Sequence, residues 1–141
     1  MRWTLRSFPQ AIVRIANISS GAATKPYRSW TAYCSAKSAL RMSSQILALE
    51  SEASGVDVRV VSYSPGVLDS PMQSYVRGLT TDQFPDVGRF LELARTGQLV
   101  KPEDSAFFLW QIMHDPELPY YTERRFESSS PNAASSSQQN S

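Results

Sequence analysis

Two segments rich in β-branched residues flank a long segment without proline or glycine, and this pattern constrains the fold most. Residues 11–18 (AIVRIANI) and 56–63 (VDVRVVSY) have the composition of strands, and each is followed by a turn that contains Ser and Gly. Residues 31–53 predict a helix that a glycine ends. A strand, a helix and a second strand in this order predict a βαβ unit with a parallel sheet.

The rest of the chain predicts mainly helices. Residues 71–78 and 89–96 favour short helices, and residues 102–113 favour a longer one with a proline in its first turn. A short strand is expected at 118–122. Residues 128–141 contain only Ser, Asn, Gln, Ala and Pro, which predicts a disordered tail after a folded part that covers residues 1–127.

Composition argues against several functional classes. The formal net charge of +1 gives no overall case for a nucleic-acid or membrane partner. No apolar run approaches the roughly 18 residues that cross a membrane, because even residues 11–18 include Arg14 and Asn17. One cysteine (Cys34) and one histidine (His114) predict neither a disulfide framework nor a metal site, and they are typical of a protein of the reducing cytoplasm.

Basic residues are concentrated at the beginning of the chain. Residues 1–49 contain seven Lys or Arg and no acid, whereas the other seven bases share residues 50–141 with all 13 acids. A transit peptide has a similar composition. The segment also contains a compact chemical motif, however, and we expect it to face an anionic ligand.

That motif consists of Ser20, Tyr33 and Lys37. Ser20 follows the first strand, Tyr33 lies near the start of the long helix, and Lys37 lies one helical turn further on. Residues four apart share one face of a helix, so the Lys37 ammonium is expected near the Tyr33 phenol, where a cation favours the phenolate. Because ligands bind at the carboxyl edge of an open parallel sheet, the three side chains could hold a carbonyl oxygen and deliver a proton to it. The alternative is that Tyr33 is an ordinary half-buried helix residue.

Three motifs resemble the short-chain dehydrogenase/reductase family. They are N-I-S-S at 17–20, Y-C-S-A-K at 33–37 and S-P-G-V-L-D-S-P-M-Q at 64–73. The segments K-P-Y-R-S-W-T-A at 25–32 and Q-I-L-A-L-E at 45–50 look particularly like the sepiapterin reductase group of that family. The resemblance extends over about residues 3–113.

The resemblance implies an α/β fold that forms part of a Rossmann-like, doubly wound parallel sheet. It implies NADPH-dependent reduction of a carbonyl, such as the side chain of sepiapterin in tetrahydrobiopterin biosynthesis. Tyr33 would protonate the carbonyl, Lys37 would promote ionisation of Tyr33 and bind the nicotinamide ribose, and Ser20 would orient the carbonyl oxygen. A homodimer would form through the helix at 31–53.

The resemblance also implies two sets of binding residues. The cofactor set is Tyr33, Lys37, Pro65, Gly66, Leu68, Asp69, Ser70, Pro71, Met72 and Gln73. The set for a pterin-like substrate is Ser20, Gly21, Tyr33 and Gly66.

Two elements of the family pattern have no match. The six glycines are scattered and form no T-G-x-x-x-G-x-G turn, so the N-terminal dinucleotide-binding half is expected to be missing. The Asp that anchors the pterin in sepiapterin reductases is also absent, and only Glu123 or Glu127 is available near that place. Two alternatives therefore remain: a non-catalytic truncated product that acts at most as an interaction module, and a broad-specificity carbonyl reductase.

Overall fold

The computed structural model describes residues 12–127, and the predicted tail at 128–141 lies outside the described residues. Three strands, β1 (Val13–Ile18), β2 (Val58–Ser64) and β3 (Tyr121–Arg125), form one parallel sheet in the order β1-β2-β3. The long helix α1 (Thr31–Ser54) connects β1 to β2. Three helices, α2 (Pro71–Arg77), α3 (Val87–Arg95) and α4 (Pro102–Met113), lie between β2 and β3 in the chain.

The central strand β2 is covered on both faces. Val58 and Val60 pack against Leu47 and Ala48 of α1, whereas Val61 and Tyr63 pack on the other side with side chains of α4. Neighbouring strand residues point to opposite faces, so a strand covered on both sides carries apolar side chains on both faces, as β2 does. Helices on both faces of a parallel sheet confirm the predicted doubly wound α/β architecture.

Hydrogen bonds fix the rotation of α1 on the sheet. Ser44 is buried on the inner face of α1, where its hydroxyl donates to the carbonyl of Leu40 and accepts from the Asn17 amide of β1, both at 2.7 Å. At its end, α1 stops at Gly55, whose φ of 67° lies in the left-handed region that glycine adopts easily. With this rotation, Tyr33 and Lys37 lie near the carboxyl end of β1.

Helices α2 and α3 pack around a small core of their own. Val76, Phe84, Val87 and Phe90 are buried there, and Trp30 from the segment before α1 packs against them. The Trp30 ring stacks on Phe84 with a centroid distance of 4.5 Å and planes 1° apart. Through this stack, the helix pair is attached to the start of α1.

Strand β3 lies three residues later than the predicted strand at 118–122. Leu118 is instead buried beside Val61 and Tyr63, and pairing with β2 begins where the Val60 N–H donates to the Tyr120 carbonyl at 2.9 Å. Charged residues at 123–125 disfavour a strand, and pairing with the buried strand β2 overrides that local preference. Among the helices of residues 12–127, none has both the length and the apolar character needed to cross a membrane.

Candidate functional site

A cavity of about 290 Å³ lies at the carboxyl ends of β1 and β2, against the first turns of α1. Ser20, Tyr33 and Lys37 all line it. Its other walls come from the segment after β2 and from side chains of α2 and α3. The structure therefore brings the three predicted catalytic residues to one cavity, at the edge where parallel sheets bind ligands. No group of three or more His, Cys, Asp or Glu side chains placed to hold a metal ion occurs within residues 12–127.

Ser20 is held by the short 3₁₀ turn that follows β1. Its Oγ accepts a hydrogen bond from the Ala22 N–H at 3.2 Å and so caps the turn Gly21–Ala23. The preceding residue, Ser19, donates its N–H to the Tyr63 carbonyl of β2 at 2.6 Å. Since the backbone contact uses Oγ as an acceptor, the hydroxyl hydrogen of Ser20 is available to a ligand.

Lys37 is attached to the end of β1. Its Nζ donates to the carbonyl oxygen of Ile18 at 2.7 Å and lies 5.7 Å from the centroid of the Tyr33 ring. An ammonium has three N–H donors, so this contact leaves two for other partners. On its other side Tyr33 meets the edge of Trp30, at a centroid distance of 5.4 Å. These contacts place a cation and a phenol beside the same cavity.

The segment after β2 turns at Gly66 and is fixed to Val100. Gly66 has a φ of 82°, and a Cβ added to it would lie 2.9 Å from Val100 Cγ2. Val100 donates its N–H to the Val67 carbonyl and accepts from the Asp69 N–H, both at 2.8 Å. Both the positive φ and the close approach require a glycine here.

Eight of the ten predicted cofactor residues line the cavity: Tyr33, Lys37, Pro65, Gly66, Leu68, Ser70, Met72 and Gln73. Asp69 and Pro71 do not, and the Asp69 carboxylate lies 3.8 Å from Arg77. Of the predicted substrate residues, Ser20, Tyr33 and Gly66 line it, whereas Gly21 lines two smaller neighbouring cavities.

Five apolar lining residues were not predicted as site residues from the sequence: Ile18, Trp30, Val67, Val76 and Phe90. Trp30 stands three residues before Tyr33 and lies in the segment at 25–32 that carries the family resemblance, and these two signals could have identified it. Phe90 and Val76 come from α3 and α2, and their distance along the chain from the motif gives no such signal. The cavity is therefore more apolar and more aromatic than the motif alone suggests.

A polar cavity of about 180 Å³ adjoins Ser20 on its other side, and Gly21, Arg41 and Glu123 line it. Glu123 Oε1 accepts from Arg41 and from the Tyr121 hydroxyl, both at 2.7 Å. Partial burial raises the pKa of Glu123, but the hydrogen bonds from Arg41 and Tyr121 outweigh it and hold this pKa below its usual value. Burial and the neighbouring Glu123 raise the pKa of Tyr121 to about 12. Of the two acids that the sequence left open, Glu123 lines this cavity and Glu127 does not.

Comparisons with known proteins give the family of this chain. The sequence profile of the short chain dehydrogenase family matches residues 4–78. The chain is 36% identical to benzil reductase ((S)-benzoin forming) of Bacillus cereus over 106 residues, which are 75% of this chain and 43% of that protein. It is 40% identical to sepiapterin reductase of Bos taurus over 105 residues, which are 74% of this chain and 37% of that protein. It thus spans about two fifths of the length of these relatives.

A solved structure agrees as well. The KRED1-Pglu enzyme matches with a TM-score of 0.69 and 31% sequence identity, over 86% of this chain and 51% of that one. The family profile covers more than half of the chain and includes β1, α1 and β2, which carry Ser20, Tyr33 and Lys37. The predicted family is thereby confirmed: this chain belongs to the short chain dehydrogenases.

Proposed function

We propose that Ser20, Tyr33 and Lys37 form the carbonyl-reducing site of an NADPH-dependent reductase. The observation that carries the proposal is their meeting in one cavity at the carboxyl edge of the sheet. Residues 1–127 would form the part of the reductase domain that contains this site. The reaction it would perform is proton delivery to a carbonyl oxygen while a hydride reaches the carbonyl carbon.

Each side chain has a separate role in this proposal. Ser20 donates its free hydroxyl hydrogen to the carbonyl oxygen and orients it. Tyr33 donates its phenolic proton to the same oxygen as negative charge develops there. Lys37, held by the Ile18 carbonyl, stabilises the phenolate that the proton transfer leaves behind.

The cavity fits the nicotinamide end of the cofactor. Its volume of about 290 Å³ is sufficient for a six-membered ring with an amide, and Val67, Leu68 and Met72 supply apolar contacts. The two remaining N–H groups of Lys37 suit ribose hydroxyls. When bound, NADPH would supply the hydride. The eight predicted residues that line the cavity would hold it, and Asp69 and Pro71 would support the same turn.

The proposed substrate is a pterin side chain such as that of sepiapterin, with Ser20, Gly21, Tyr33 and Gly66 around it. Sepiapterin reductases among the relatives support this choice, and so does Glu123, an acid in the cavity that adjoins Ser20. The second candidate is an aromatic diketone, because Trp30 and Phe90 give the cavity an aromatic wall and a relative is a benzil reductase. A broad-specificity carbonyl reductase would accept both.

We also propose that the protein works as a homodimer through the helix at 31–53, and that it works in the cytoplasm. Met42, Ile46 and Leu49 are exposed along one side of α1, at the spacing of a single helix face. They also line a surface groove with Tyr120 and Tyr121 of the β3 region. An apolar stripe of this kind is typical of a helix that packs against another chain.

The first test is Tyr33→Phe in the protein expressed from the full reading frame that encodes this chain. Loss of a positioned general acid should lower kcat at least ~10²-fold, with NADPH affinity and circular dichroism nearly unchanged. Tyr75→Phe is the matched control, since Tyr75 is exposed and does not line the cavity. Near-parental kcat in Tyr33→Phe would refute the proposed role.

The second test compares substrates. We expect a higher kcat/KM for sepiapterin than for benzil, and Glu123→Gln should lower the sepiapterin value with little effect on benzil. A higher value for benzil would favour the aromatic-diketone alternative. If the parent reduces neither compound with NADPH, the interaction-module alternative is preferred.

A further inference from the structure

A third, smaller cavity adjoins Ser20. It has a volume of about 70 Å³ and shares Ser20, Trp30 and Gly66 with the cavity that contains Tyr33. Since one water molecule occupies about 30 Å³ in the liquid, this space suits roughly two waters or one carboxylate-sized group. A ligand whose carbonyl lies at Ser20 would place a neighbouring substituent here.

Arg89 of α3, an exposed residue, lines this cavity. Its Nη1 donates to the Tyr27 hydroxyl at 2.9 Å, and the group lies 6.0 Å from the Tyr27 ring centroid and 5.7 Å from that of Phe90. A guanidinium has five N–H donors, so this bond orients the group and leaves others for a ligand. Arg89 is therefore held in place by neutral neighbours.

A second guanidinium lines the same cavity from the end of β3. Arg125 lines this cavity and also the polar cavity that contains Ser20 and Gly21. The ion pairs among residues 12–127 include neither Arg89 nor Arg125.

Within residues 12–127, no acid forms an ion pair with Arg89 or Arg125. No Asp or Glu lines the 70 Å³ cavity. Glu123 lines the polar cavity and is paired with Arg41. Asp104 lines a larger cavity that Arg89 and Arg125 also line, but the ion pairs among residues 12–127 do not join it to either arginine. Two like charges beside one small space repel each other, and an anion between them removes that repulsion.

We propose that this cavity is a binding subsite for a carboxylate-sized anion, formed by Arg89 and Arg125 beside Ser20. The planar guanidinium matches the two oxygens of a carboxylate, with charge-assisted hydrogen bonds. The anion comes either from the substrate itself, as in an α-keto acid, or from a free small anion that binds next to a neutral substrate such as a pterin. Anion binding by the two arginines does not depend on the proposed function. The position of the anion next to a substrate carbonyl at Ser20 does rest on it.

The test uses a pair of ligands that differ in one charge, benzoylformate and its methyl ester. Their dissociation constants are measured on the full protein by NMR titration without cofactor. We expect the acid to bind ~10-fold tighter than the ester, and Arg89→Gln or Arg125→Gln each to weaken the acid by about threefold. The double variant should bind both compounds equally. High salt should weaken the acid only.

Arg95→Gln is the matched control. It removes the same charge from α3, and Arg95 is exposed like Arg89 and Arg125. Arg95 differs from them in being paired with Glu92 at 2.6 Å and in lying outside the cavity. The control should keep the parental preference for the acid. Equal affinities for acid and ester in the parent, or the same loss in Arg95→Gln as in Arg125→Gln, would overturn the subsite.

One further measurement distinguishes the two possible sources of the anion. A second one distinguishes a failure of the proposed reaction from a failure of the subsite. Displacement of benzoylformate by acetate in the parent, but not of the ester, indicates a free-anion site, whereas a preference for the acid that acetate does not compete with indicates the substrate's own carboxylate. Both outcomes support the subsite. Because binding is measured without NADPH, failure to reduce the ester would contradict the proposed reaction and leave the subsite intact.

Discussion

At the scale of single residues, Gly66 connects backbone geometry with the shape of the site. It lies in the left-handed region, and its Cα faces Val100 closely enough that a methyl group would not fit. The same residue lines the cavity with Ser20 and Tyr33. A side chain here would both strain the turn and shift the wall of the cavity.

We therefore expect Gly66→Ala to lower the free energy of unfolding by about 1–3 kcal/mol. Gly88→Ala is the control, because Gly88 lies in α3 with no atom within 4 Å of the added Cβ, and alanine there should stabilise the protein by up to about 1 kcal/mol. Adding Val100→Ala to Gly66→Ala should recover part of the loss, since it removes the contact and keeps the strained φ. Urea unfolding measures all four proteins. Equal effects at both glycines would contradict the geometry.

At the scale of elements, a polar junction attaches α1 to β3. Arg41 and Gln45 project from α1, and Tyr121 and Glu123 from β3; all three partners of Glu123 donate to Oε1. The hydrogen bonds favour the carboxylate over the carboxylic acid, which is why the pKa of Glu123 lies below its usual value. The junction therefore stabilises the fold only while Glu123 is ionised.

The sign of the pH effect follows from that depressed pKa. Stability from the junction is fully present above the unfolded pKa of Glu, about 4.3, and is lost as the pH falls through the lower pKa of the folded protein. Glu123→Gln should lower the urea midpoint at pH 7, and the difference from the parent should shrink as the pH falls below about 4. Glu50→Gln, at an exposed position of α1 outside the described ion pairs, should show no such convergence. A constant difference from pH 7 to pH 3 would exclude the junction as its cause.

The sequence predicted the elements best where local signals agree. Proline in the first turn fixed the start of α4, and Gly55 fixed the end of α1, so both helices were predicted to within a residue. The strand β3 was misplaced because its charged residues become a strand only through pairing with β2.

The candidate site also combines residues that a local sequence signal predicts with residues that only tertiary packing brings together. Ser20, Tyr33 and Lys37 were found because they lie within 18 residues of one another and belong to a motif. Arg89 and Arg125 reach the same place only through the packing of α3 and the end of β3, so no local pattern identifies them. Distant residues that meet at a sheet edge need the tertiary structure to be recognised.

At the scale of the whole molecule, the exposed stripe on α1 is the surface through which we propose that two copies of the chain associate. Ile46 lies at its centre and is 47% exposed. A charge placed there would be buried in a dimer without a partner, which is strongly unfavourable.

Ile46→Glu should therefore convert the proposed dimer to a monomer, with the helix content unchanged. Ser43→Glu is the control, since it adds the same charge to an exposed polar position of α1. Sedimentation velocity over a range of concentrations gives the outcome. A parent that sediments as a monomer at all concentrations would refute the homodimer.

The two hydrogen bonds that join Val100 to Val67 and Asp69 affect how the ligand specificity of such a protein can change. The chain leaves this point after β2, runs through α2 and α3, and returns to it before α4. The two ends of the segment between Asp69 and Val100 are hydrogen-bonded to each other, so its attachment to the sheet does not depend on the sequence between them. This segment carries Phe90 and Arg89 to the cavities, whereas Ser20 and Lys37 are held by contacts at the end of β1. We therefore expect that exchanging the segment as a unit would change which ligands the candidate site accepts and leave Ser20 and Lys37 in place.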